Sequence, residues 1–109
     1  MDKSVEQQLA ALETVVAALP NYLTRNELYT NIPREGEGRL TQPVSIGIAL
    51  DLVQKLRRQD LSPEAVSRVD GLEGRIRALE RIYPNEYKRK LASEERSRGF
   101  VARQAAEED

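Results

Sequence analysis

The stretch IPREGEGRLTQPVSIG, residues 32–47, decides how the chain is read. Two prolines, three glycines and two arginines gather there, in a sequence that otherwise reads as helix after helix. Ile32-Pro33 reads as a helix stop, because proline lacks the amide hydrogen that a helix interior needs. Arg34 to Arg39 reads as a flexible glycine-rich tip. Leu40-Thr41 followed by Pro43 reads as the entry to the next helix. Threonine is a cap, and proline is tolerated where the first amides have no intrahelical partner. On this reading the stretch connects two helices and the chain is all-α.

Upstream, Val5, Leu9, Leu12, Val16 and Leu19 recur at steps of four and three, the spacing of one helix face. They predict a first helix over 4–19, with Ser4 and Gln7 as a capping box and Pro20 as its end. A short second helix is expected over 25–32, with Thr24 as cap, Glu27 completing the box, and Leu23 and Leu28 as a hydrophobic staple.

Downstream, Val44, Ile46, Ile48, Ala49, Leu50, Leu52, Val53 and Leu56 cover most of a helix circumference. A helix that apolar is buried on more than one side. It is expected over about 43–58, at the centre of the domain. Ser62-Pro63-Glu64 then marks a helix start, with Leu61 and Val66 as its staple. Val66, Val69, Leu72, Ile76, Leu79 and Ile82 or Tyr83 hold one phase. The helix is therefore carried through Gly71 and Gly74, although each glycine costs about 0.8–1 kcal/mol relative to alanine. A break at Asp70-Gly71 is the alternative. Pro84 should kink or restart the chain into a last segment, with Tyr87 and Leu91 extending the apolar line. No β-strand alternation stands out. The expected architecture is a compact bundle of four to five helices over 1–91, followed by a polar C-terminal helical arm or tail over 92–109, acidic at its end.

Composition narrows the function. The 109 residues include 17 basic and 18 acidic groups and neither His nor Cys. A net charge of −1 gives no global field to attract nucleic acid or an anionic membrane. Without Cys there is no disulfide or thiolate zinc site, and a cytoplasmic setting is expected. Without His the commonest general base and metal ligand is missing. The carboxylates recur four residues ahead of a base: Asp51 with Lys55, Glu64 with Arg68, Glu73 with Arg77, Glu86 with Lys90, and Glu94 with Arg98. That spacing and order is the one that supports exposed helices. No nucleophile, base or metal set is assembled, so no enzyme activity, cofactor or metal is expected. No stretch is long and apolar enough to span a bilayer.

Four sets of residues remain as candidate contacts. Tyr87, Leu91, Phe100 and Val101 form one candidate surface, and Leu91, Phe100 and Val101 are too sparse to hold the C-terminal arm down alone. An arm of that kind suits a second subunit related by a two-fold axis. Gly47 falls inside the predicted central helix on the same face as Asp51, where only a close backbone approach explains a missing side chain. Arg34 and Arg39 flank the loop tip, where a helix entry offers amides to an anion, but Glu35 and Glu37 oppose one. Arg75, Arg77, Arg81, Lys88, Arg89 and Lys90 belong to a segment, 75–103, that holds nine basic and four acidic residues. Clustered arginine can contact phosphates. The sequence therefore predicts a non-enzymatic protein–protein interaction or scaffold module that self-associates through aliphatic helix faces, as a homodimer or with another protein partner. Nucleic-acid binding through 75–103 is the alternative.

Overall fold

The computed structural model describes residues 3–34 and 38–107, and side chains over 4–31 and 41–97. Four helices and one β-hairpin follow in order: α1 (Lys3–Arg25), β1 (Tyr29–Arg34), β2 (Gly38–Pro43), α2 (Ile46–Arg57), α3 (Pro63–Ile82) and α4 (Pro84–Glu107). Each helix packs against the other three.

α1 continues through Pro20, where the sequence predicted an end. An interior proline costs about 3 kcal/mol. Tyr22 and Leu23 lie just beyond it and are buried. Burying one such side chain contributes about 1.5–3 kcal/mol, so the two together offset the proline. Leu23 is in fact the next step of the stripe that runs through Leu9, Leu12, Val16 and Leu19. The helix ends at Asn26, which takes a left-handed φ of 56°. The amide of Glu27 then donates back to the Asn21 carbonyl. Thr24, expected to cap a second helix, instead donates its hydroxyl to the Pro20 carbonyl in the last turn of α1.

The expected helix over 25–32 is replaced by the hairpin, so the chain is mostly helical rather than all-α. Tyr29, Thr30, Ile32 and Thr41 favour strands. The strands pair antiparallel, with Tyr29 opposite Pro43 and Pro33 opposite Arg39. The Val44 amide donates to the Leu28 carbonyl at 2.8 Å. That bond sets the phase of the ladder, because hydrogen-bonded and non-bonded pairs alternate. Tyr29–Pro43, Asn31–Thr41 and Pro33–Arg39 are the non-bonded pairs. Both prolines therefore turn their missing N–H outward to a strand edge, where proline is tolerated. Read locally, the same residues resemble a helix stop and a helix start.

α2 begins at Ile46, later than the expected Gln42 or Pro43, because 38–43 belongs to β2. Its cap is Ser45, not Thr41: the Ser45 Oγ accepts from the Ile48 amide at 3.0 Å. α3 runs unbroken through Gly71 and Gly74 and starts as expected, with Ser62 as cap and Pro63 in the first turn. Its buried line is Ala65, Val69, Leu72, Ile76 and Leu79. Val66 and Ile82, expected in that line, are 39% and 62% exposed. Pro84 starts α4 after a break at Tyr83. The core is mainly aliphatic, joined by Tyr22 and Tyr87, and contains no charged side chain among the described residues. α1 supplies its longest line.

Candidate interaction site

The first turn of a helix leaves backbone amides without intrahelical acceptors. At α2 one of them goes to Ser45. The next two are taken by a residue from another helix. Glu94 of α4 accepts from the Ile46 amide at 2.9 Å through Oε2 and from the Gly47 amide at 2.7 Å through Oε1. The positive end of the α2 dipole favours a carboxylate there. The Tyr22 hydroxyl of α1 donates to the same Oε2 at 2.7 Å. One carboxylate thus ties three helices together. Burial pushes the Tyr22 hydroxyl pKa well above its usual value, and the hydrogen bond to Glu94 and the Glu94 charge push it further.

Lys90, one turn before Glu94, places its ammonium 4.7 Å from the centre of the Tyr22 ring. The same ammonium donates to the Asn26 side-chain oxygen. This Asn26–Lys90 bridge stands between two open clefts. The larger, about 800 Å³, lies between the hairpin base, α2 and α4. Leu28, Tyr29, Pro43 and Ile48 form its apolar side, and Ser93, Ser97 and Asp51 are among its polar residues. Leu28 and Tyr29 are 47% and 63% exposed. The smaller cleft, about 480 Å³, lies between the end of α1 and α4. It gathers Arg25, Arg89 and Lys90 against the single carboxylate of Glu86.

Several residues singled out in the sequence meet here and others do not. The backbone of Gly47 is approached closely, by Glu94, and Asp51 lines the larger cleft. Tyr87 is buried in the chain's own core and Leu91 packs against it. Neither is an open contact surface. The side chains of Phe100, Val101, Arg34 and Arg39 lie outside the described ones. Arg77 is tied to Glu73 at 2.9 Å, as its spacing predicts. Arg75 and Arg81 are exposed on α3, and Lys88 and Arg89 on α4.

Two other expected helix pairs are rerouted. Arg68 reaches Glu13 of α1. Glu86 lies 3.8 Å from Arg89, while Lys90 serves Tyr22 and Asn26. Arg57, at the end of α2, bonds to both Asp70 and Glu73 of α3. Arg57, followed by Arg77, holds the Glu73 carboxyl below its usual pKa.

Sequence reasoning missed Tyr22, Asn26, Leu28, Tyr29, Ser45 and Glu94. One signal was present for Glu94. It falls at helical spacing on the line of Tyr87 and Leu91, an acid placed where the helix turns inward. Among the described residues, no group of three or more acidic side chains is placed to hold a metal ion, and no helix is long and apolar enough to cross a membrane. Comparison with known proteins gives no matching family model, no matching characterised protein and no matching solved structure.

Proposed function

We propose that the chain is a non-enzymatic protein–protein interaction module that self-associates, in a cytoplasmic setting. The observation that carries this reading is the exposed pair Leu28 and Tyr29 on the rim of the larger cleft. The aliphatic stripes of α1, α2 and α3 are consumed by the chain's own core. Of the exposed large apolar side chains, Val66 and Ile82 stand singly, sixteen residues apart on α3, whereas Leu28 and Tyr29 are adjacent at the hairpin base and share one cleft. Tyrosine is enriched among the residues that dominate binding energy, since it offers a large contact area together with a polar tip. The walls of the cleft are held by the Glu94 and Lys90 contacts, so little ordering is required when a partner arrives.

Sedimentation velocity tests this at high micromolar protein. The wild-type chain is expected to dimerise, and Tyr29→Ser with Leu28→Ser is expected to shift it to monomer with an unchanged helical spectrum. A wild-type chain that stays monomeric at every concentration removes the reading.

A further inference from the structure

The two clefts differ in chemistry and lie side by side. One has an apolar rim of Leu28, Tyr29 and Pro43. The other presents Arg25, Arg89 and Lys90 with only Glu86 to oppose them. A matching occupant has apolar residues followed, within about two helical turns, by carboxylates. The chain contains such a segment. Residues 100–109 read FVARQAAEED, with Phe100 and Val101 leading to Glu107, Glu108 and Asp109.

We propose that the paired clefts seat the acidic C-terminal segment, residues 100–109, of a second copy of this chain. The proposal rests on the self-association reading above and names its seat and its ligand. Charge complementarity selects the segment: three carboxylates meet a cleft with an excess of cations. The continuity of α4 selects a second copy. α4 is one helix from Pro84 to Glu107, and its own residues Glu86 to Ser97 form walls of both clefts. At 1.5 Å per residue, position 107 lies about 25 Å along the axis from Lys90. While α4 stays helical, its backbone over 100–107 runs away from its own clefts and toward those of a neighbour. A two-fold axis then fills both seats with one arrangement, the commonest symmetry of soluble oligomers. The contacts between exposed charges weaken with salt, because a Debye length is about 10 Å at 0.1 M.

Two full-length variants test it by sedimentation velocity at low salt. The seat variant carries Arg25→Glu and Arg89→Glu. The segment variant carries Glu107→Lys, Glu108→Lys and Asp109→Lys. Each alone is expected to dimerise at least about ten-fold more weakly than wild type, since like charges then face each other. Mixed in equal amounts, the two variants are expected to form a heterodimer, because each reversed segment meets a reversed seat. That rescue also shows that both chains are folded. A dimer that persists undiminished in both single variants overturns the proposal and leaves self-association to another face. Two weakened variants that fail to recover on mixing also overturn it. A monomeric wild-type chain overturns both this proposal and the reading on which it rests.

Discussion

The Gly47 amide and the Glu94 carboxylate meet at 2.7 Å across 47 positions of sequence. The start of α2 is thus closed partly by its own Ser45 and partly by a residue of the last helix. Removing the acceptor leaves the Ile46 and Gly47 amides and the Tyr22 hydroxyl without it. Glu94→Ala is therefore expected to cost about 1–3 kcal/mol, the range for stranding part-buried donors. Glu94→Gln keeps one oxygen but turns an NH₂ group toward the donors, and should fall between wild type and Ala. Urea denaturation measures the loss. Hydrogen exchange should show it locally, as faster exchange at Ile46 and Gly47. Equal stability of the Ala variant would mean that the carboxylate does not hold this helix start.

Tyr22 carries the alkaline side of the same contact. Its hydroxyl is buried and bonded to a carboxylate, so its folded-state pKa lies above the unfolded value of 10.0. A group with a raised folded pKa contributes stability that is complete below the unfolded value and is lost as pH climbs toward the folded one. Wild-type stability should therefore decline as pH rises above 10. Tyr22→Phe removes the titrating group and the bond together. It is expected to lower stability at neutral pH by about 1 kcal/mol and to flatten the alkaline decline. Denaturant midpoints between pH 8 and 11 test both parts. A variant with the same alkaline slope as wild type would assign that slope to another group.

These contacts also show how far local sequence signals reach. Ser62-Pro63, the unbroken phase from Val69 to Leu79 and the restart at Pro84 are local patterns, and each yields its helix directly. The hairpin was not legible in the same way. Pro33 and Pro43 carry the same local signal at a helix terminus and at the outward position of a strand edge. Only the cross-strand pairing, six positions away for Pro33 and fourteen for Pro43, distinguishes the two. Pro20 misled for a related reason: its local cost is outweighed by burial of Tyr22 and Leu23, which a tertiary core decides. Asp, Glu, Lys and Arg at helical spacing predicted Glu73–Arg77 correctly. The same rule could not see that Glu94 and Arg68 have partners on other helices.

Glu73 carries the acid side. Arg57, reaching across from α2, and Arg77, one turn along α3, hold its carboxyl below the ordinary value of 4.5. A depressed folded pKa gives stability that is present above the unfolded value and lost as pH falls through the folded one. Wild type should thus weaken as pH drops below about 4.5. Glu73→Gln is expected to be about 0.5–1 kcal/mol less stable at pH 7, a surface-network magnitude. Its disadvantage should shrink as pH falls below 4.5, where the unfolded chain takes up the proton before the folded one. Thermal unfolding at pH 7, 5 and 3 tests the convergence. A disadvantage that stays constant with pH would point to packing rather than charge.

Gly71 and Gly74 give the last expectation, and its sign is opposite. Both sit within α3, both are exposed, and a Cβ added at either meets nothing within 4 Å. Glycine costs about 0.8–1 kcal/mol relative to alanine in a helix interior, because it gives up more backbone freedom on folding. Nothing in the chain's own packing compensates that cost at these two positions. The buried residues that keep the helix continuous, Leu72, Ile76 and Leu79, lie on the other side. Gly71→Ala and Gly74→Ala should therefore each raise stability by about 1 kcal/mol, and nearly additively. One turn of helix separates them and neither has a neighbour to share. For a domain of this size each step corresponds to a rise of about 4–8 °C in Tm. Calorimetry on the two single variants and the double variant measures it. A decrease in either single variant would show that the backbone at 71–74 departs from a helix that alanine can join.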